Sequence, residues 1–182
     1  GKEIAFFEDI EFSRIFMAWQ IPNSNDQKNI LGYEIISSIL TDGRNSILNR
    51  SLKEEKQIVE SIYSGIQPGE FGSLFVIEAS LKKENMKKVE NLIENLLQEL
   101  LINSNLNNKI KKALRIVKSN YIFNLETSSQ LSYFYGSHLL WGRINPELEL
   151  NKNFKYWESA ENLKSHINFL TQDKFTFIAH KK

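Results

Sequence analysis

Cysteine is absent from the 182 residues, which excludes disulfide staples, thiolate metal sites and thiol nucleophiles. No apolar run approaches the roughly 18 residues needed to cross a bilayer, so no membrane partner is expected. An excess of charge is missing as well: 23 basic against 22 acidic side chains leave a net +1. Nucleic-acid binders normally carry a basic excess. The short cluster Lys109-Ile110-Lys111-Lys112 reads instead as a solvated helix face, and no nucleic-acid partner is expected. There is no initiator methionine and no signal-peptide pattern. The chain opens Gly1-Lys2-Glu3-Ile4 in a strand-like segment and is expected to be cut from a longer, soluble product, with the cytoplasm favoured.

What is present is ordinary for a globular protein: 41% apolar and 25% charged residues. Ile15, Met17, Trp19 and Ile21 alternate with their neighbours at period two, which predicts a strand ended by Pro22. Ser24 to Asp26 offer caps for a helix over 27–40, with Leu31, Ile35, Ile36, Ile39 and Leu40 inward and Gly43 at its stop. A shorter helix is expected over 46–56, then a hairpin of strands 57–66 and 73–81. Pro68 and Gly69 make its turn by supplying a fixed and a permissive φ.

From 84 to 102 the three-four spacing of Met86, Val89, Ile93, Leu97 and Leu100 predicts an amphipathic helix. Another is expected from about 109 to 121 or 125, on Ile110, Ala113, Leu114, Val117 and Tyr121. An aromatic helix over 131–141 follows, then a loop from 142 to about 157. A short helix begins near Ser159 and a last strand covers 174–179. Hairpin-linked strands with segregated helices give an α+β fold, a mostly antiparallel sheet with helices packed on one face. No repeat or linker divides residues 1–182, so a single domain is expected.

Three local phrases, in this order, resemble the later domains of pitrilysin/insulinase-type zinc metallopeptidases. The opening strand there reads aromatic-Ala-Trp/Tyr-x-x-Pro, and here Phe16-Met17-Ala18-Trp19-Gln20-Ile21-Pro22. A Gly-x-x-Ser-x-Leu turn stands as Gly43-Arg44-Asn45-Ser46-Ile47-Leu48 and leads to Leu52-Lys53-Glu54-Glu55. The hairpin with Phe71-Gly72 after its tip and a following amphipathic helix complete the likeness. It is specific over 16–101 and implies one pitrilysin-type domain that does not bind zinc.

That family's catalytic signature is His-x-x-Glu-His on a helix, where two imidazoles one turn apart hold zinc and the glutamate acts as base. Only His138, His166 and His180 occur here, no two within 13 residues of each other. No catalytic and no metal-binding residue is therefore assigned to this chain. The resemblance implies zinc in the parent protein, carried by an N-terminal catalytic domain or a homologous subunit, with a peptide as substrate. The family's Arg and Tyr that reach the scissile carbonyl fall at Lys53 and Glu60, and these are the candidate substrate contacts. Lysine keeps the charge without the fork of arginine, and an ionised glutamate is no donor.

Two surface groups are the plainer reading of that pair. Glu60 is expected at mid-strand with Ile58 and Ile62, Glu78 on the paired strand, and both near Arg14 or Gln20 on an open sheet face. His138 is expected to be half-buried among aromatics, and His166 and His180 to face solvent. The resemblance thus leads to one wall of a peptide chamber. A catalytically dead assembly module of the same descent is the alternative, and an unrelated α+β ligand-binding domain the third reading.

Overall fold

The computed structural model describes residues 2–123, 125–140 and 142–181, and only the backbone of Lys2, Glu3 and Glu8. Strands β1 (Lys2–Glu8) and β2 (Ser13–Ile21) are followed by helix α1 (Gln27–Thr41) and a π-helical turn over Asn49–Glu55. The hairpin of β3 (Ser61–Gln67) and β4 (Ser73–Leu81) comes next. Five helices follow: α2 (Met86–Leu101), α3 (Leu106–Phe123), α4 (Ser128–Leu140), α5 (Pro146–Tyr156) and α6 (Ala160–Leu170). Strand β5 (Phe175–Lys181) re-enters the sheet.

The sheet order is β1-β5-β2-β4-β3. Its pairs are antiparallel except β1 with β5, which is parallel. Alternation places Ile15, Met17, Trp19 and Ile21 of β2 on one face beside Phe75, Ile77, Ala79 and Leu81 of β4, all buried. Helices cover that face. Leu31, Ile35, Ile36 and Leu40 of α1 are fully buried there, as are Val89, Ile93 and Leu97 of α2. Each such side chain contributes about 1.5–3 kcal/mol by leaving water. The fold is α+β, with the helices on one face of a mainly antiparallel sheet.

Local chemistry fixes the ends of α1. Asp26 caps it, its Oδ1 accepting the Asn29 N–H at 3.1 Å and its Oδ2 the Asn29 side-chain amide at 2.6 Å. At the other end Gly43 takes φ +79°, the left-handed conformation that stops a helix. Gly32 of α1 faces Trp157, the residue after α5: a Cβ there would stand 2.7 Å from the Trp157 ring. Trp157 is buried and donates Nε1–H to the Lys28 carbonyl at 2.9 Å.

Two expectations fail. The loop expected over 142–157 contains α5, started by Pro146 in its first turn, where a missing N–H costs nothing. Its buried stripe is only Pro146, Leu150 and Phe154, spaced by four and set among charged and polar residues, too thin for a periodicity signal. Strand β3 starts at Ser61 rather than 57. Gln57 sits at φ +50° after the π-helical turn, so the backbone is still turning there. Trp141, placed in the aromatic helix by sequence, lies outside the described residues.

Candidate functional site

Alternation along five strands leaves the second sheet face without helices, and three cross-strand rows describe it. In the central row Ile4 stands beside Phe177, Phe177 opposite Phe16, Phe16 opposite Glu78, and Glu78 opposite Tyr63. A second row runs Phe175, Ala18, Val76, Gly65. A third runs Phe6, Ala179, Arg14, Ser80, Ser61. Tyr63 is 59% exposed and Ile4, Phe6, Phe175 and Phe177 between 37% and 46%. The uncovered face is thus apolar and aromatic on its β1–β5 side. Exposed hydrophobic patches of this kind mark interaction surfaces.

Toward β3 the face turns polar. Arg14 and Glu78 approach to 3.8 Å as a partly exposed pair, worth little by itself. Tyr63 lies back over Gly65, so that a Cβ at position 65 would fall on the phenol oxygen. The glycine gives the ring a seat on the sheet.

Lys53 is an exposed side chain in the π-helical turn. Glu60 is also exposed and sits at the bend before β3, its N–H donating to the Ser80 carbonyl at 2.8 Å. The mid-strand position expected for Glu60 is therefore corrected. Ile62 follows the alternation into the core and is buried, and Ile58 precedes the strand. Of the acidic residues expected on the open face, Glu78 is there beside Arg14, while Glu60 is at its margin. None of Tyr63, Phe16 and Phe177 was expected from sequence as a site residue on this face. Their signal was alternation on a face whose polarity was incomplete.

The histidines do not assemble. His138 is 8% exposed, packs edge-to-face on Phe134, and its Nδ1 lies 3.0 Å from the Arg143 guanidinium. Burial first, then Arg143, holds its pKa below the usual value, against the pull of Glu149. His166 was expected in solvent but lies between Tyr33 and Trp157, with Nε2 3.0 Å from Asn29 Oδ1. Burial lowers its pKa, opposed by Asp26 and aided by Lys28. His180 stacks on Phe7 at 5.2 Å and is likewise not a free surface group. Among the described residues no three His, Asp or Glu side chains stand close enough to share a metal ion. These histidines do not fit a zinc site: one meets a guanidinium and another an amide and two aromatic rings. No described helix is long and apolar enough to cross a membrane.

A polar pair that sequence reasoning missed lies between α1 and α3. Tyr121 donates its O–H to both carboxylate oxygens of Glu34, at 3.0 and 3.2 Å. Burial pushes Glu34 up to about 7, against the lowering effects of the Tyr121 hydrogen bond and of Arg143. Burial also raises the Tyr121 phenol well above its ordinary value, helped by the neighbouring carboxylate. The two residues are 87 apart in sequence, so no local motif could join them. Glu34, Ser37 and Tyr121 line a recess that reaches Tyr63 and Gly65 at the β3 side of the sheet.

The arrangement has known counterparts. A protease from Helicobacter pylori superposes with a TM-score of 0.78 at 19% identity, over 97% of this chain and 43% of that one. A peptidase M16 inactive domain from Pseudomonas fluorescens gives 0.82 at 14% identity, over 100% of this chain and 44% of that chain. A chain of complex III2 from Candida albicans gives 0.77 at 14%, over 99% and 46%. These likenesses concern the fold, and this chain spans less than half the length of each of the three. No curated protein matches the sequence significantly. The family model described as the peptidase M16 inactive domain matches residues 2–114, more than half of the chain. The chain belongs to the peptidase M16 inactive domain family.

Proposed function

We propose that this chain is the non-catalytic wall of a peptide-enclosing chamber in an M16-type zinc metallopeptidase. An N-terminal catalytic domain or a homologous subunit holds the zinc and the general base. The chain itself encloses and orients an extended peptide. The observation that carries this reading is the uncovered sheet face, with Ile4, Phe177 and Phe16 in one cross-strand row leading to Glu78 and Tyr63. Such a face offers aromatic area for apolar side chains and, at Arg14 and Glu78, charge of both signs. Lys53 and Glu60 are exposed and lie outside the cross-strand rows of this face, so their part is long-range positioning of the peptide.

The test joins this chain to the catalytic half of its parent and follows cleavage of a quenched fluorogenic peptide. The chain alone is expected to hydrolyse nothing and to retain no zinc after dialysis. In the joined protein, Phe177→Asp is expected to lower kcat/KM severalfold while zinc content stays constant. Peptidase activity of the isolated chain, or indifference of the joined protein to open-face substitutions, sinks the proposal.

A second reading, a catalytically dead assembly module, is favoured by one observation: positions 53 and 60 carry lysine and glutamate instead of the family's arginine and tyrosine. One fold neighbour also belongs to complex III2. Under this reading the joined protein binds zinc poorly and cleaves no peptide, yet its assembly depends on the same face.

A further inference from the structure

Among helices α1 to α6, α4 alone carries no Lys, Arg, Asp or Glu. Its buried side consists of Phe134 and His138, one turn apart. Tyr133, Leu139 and Leu140 are exposed, and a Cβ added at Gly136 would meet nothing within 4 Å. The helix thus rests on the rest of the molecule by a narrow contact, and one of its two buried side chains can take up a proton. Elements with so few buried contacts open locally at small cost.

Arg143 holds the C-terminal end of α4. Its backbone N–H donates to the His138 carbonyl at 2.9 Å, and its Nη1 lies 3.0 Å from His138 Nδ1. Its Nη2 donates to the Ser24 carbonyl. Ser24 in turn donates its N–H to the Gly69 carbonyl at 3.1 Å, in the hairpin turn. One guanidinium therefore ties α4 to the turn before α1, and through it to the β3–β4 hairpin. A guanidinium has donors only. Its contact with Nδ1 is a hydrogen bond only while that nitrogen is bare and the imidazole neutral. A proton on Nδ1 turns the acceptor into a donor and sets two cations against each other.

The surrounding charges fix the direction. Burial and Arg143 disfavour the charged imidazole and prevail over Glu149 of α5, which favours it. Around the guanidinium stand Asp26, Glu34 of α1, Tyr121 of α3 and Glu149. Glu34, held at about 7, is neutralised as acid is added, so its attraction for Arg143 falls together with the acceptor at His138.

We propose that the corner between α4 and α5 is an acid-released strap. Arg143 bridges neutral His138 to Ser24 and keeps α4 docked; protonation of His138 breaks the bridge and frees α4. Docking holds His138 below its ordinary 6.5, so the released state binds the proton more tightly. The strap is intact above about 6.5 and weakens as pH falls below it, until the docked value is passed.

Amide hydrogen exchange over residues 128–140 at pH 7.5 and pH 5 tests this, corrected for intrinsic rates and referenced to amides of α2. Protection of α4 is expected to fall by about tenfold for each pH unit between the released and docked values. The midpoint should coincide with the titration of His138 followed by NMR. His138→Asn places an amide oxygen near the position of Nδ1 and takes no proton, so α4 should stay protected at pH 5. Arg143→Met removes the bridge and should expose α4 at pH 7.5 already, with α2 unchanged. Protection of α4 that is equal at both pH values overturns the proposal. So does a midpoint apart from that of His138, an acid loss that persists in His138→Asn, or an α4 in Arg143→Met as protected as in the wild type.

Discussion

At β3 the outward backbone of Ser64 is taken up by Thr41 and Ser37 of α1, and Ser64 Oγ adds a contact to Thr41 Oγ1 at 2.8 Å. At β1 the outward side of the strand carries no such collar among the described residues, and its exposed side chains are isoleucine and phenylalanine. The two edges bound one sheet but obey different economies. One is closed by polar groups brought from a helix 23 to 27 residues away in sequence; the other keeps an apolar strand exposed. An edge closed in this way cannot accept another strand without breaking buried hydrogen bonds. At β1 no such bonds stand in the way among the described residues.

The largest effect expected on this contrast comes from pH, through the helix that closes β3. Glu34 is held at about 7 in the folded chain against an ordinary 4.5. The folded state therefore binds the proton more tightly than the unfolded chain does. Its contribution is fully present below about 4.5, declines as pH rises toward 7, and is gone above. The whole swing is at most about 3 kcal/mol. Glu34→Gln keeps an oxygen for the Tyr121 hydroxyl and removes the ionisation. Urea denaturation of the two proteins is expected to give matching stabilities at pH 4 and a more stable variant at pH 8. A difference that does not change between these pH values would show that Glu34 ionises freely.

Opening the closed edge comes next in size. Thr41→Val preserves shape but leaves the buried Ser64 N–H without its acceptor, at a cost of about 1–3 kcal/mol. Phe7→Ser at the open edge, an exposed position, is expected to stay within roughly 0.5 kcal/mol. Amide exchange sharpens the same comparison. The Ser64 amide should be protected at every protein concentration in the wild type and lose protection in Thr41→Val. Amides of β1 that are not bonded to β5 should exchange faster than that of Ser64 in the wild type. Equal protection of both edges in dilute solution would remove the contrast.

Much of this fold was legible in the sequence because it rests on local periodicity. The alternation in β2, the three-four stripe of α2 and the proline-glycine turn of the hairpin each announce their element within a dozen residues. Asp26 as a cap and Gly43 as a stop were equally local signals. What escaped has a common cause. The stripe of α5 is one residue per turn, and Trp157 beside it gains meaning only from Gly32 of α1. His166 is covered by Tyr33 and Trp157, which come from two other parts of the chain. Glu34 and Tyr121 meet across two helices. Pairings between distant segments leave no mark at helical or strand spacing, so burial of polar residues at such junctions is the least readable feature of a single sequence. The candidate contacts Lys53 and Glu60 were located by family spacing, which fixes their neighbourhood but not the bend that places Glu60 before β3.

The smallest effect concerns how the chain enters the closed edge. Gln57, four residues before β3, takes φ +50°, whereas Gly43, which ends α1, takes +79°. Both are left-handed turns, but only one has the residue suited to it. A side chain in this region costs about 1–2 kcal/mol through its Cβ, and glycine returns about 0.5–1 of that through the greater freedom of the unfolded chain. Gln57→Gly is therefore expected to stabilise the protein by roughly 0.5 kcal/mol. Gly43→Ala, with open space around the added Cβ, should destabilise it by about 1 kcal/mol from backbone strain alone. Thermal unfolding of the two variants beside the wild type reads both signs in one experiment. If Gln57→Gly instead lowers Tm, the glutamine side chain is making a contact that compensates its strained backbone. The turn into β3 would then be held, like the edge it leads to, by a polar side chain rather than by chain geometry.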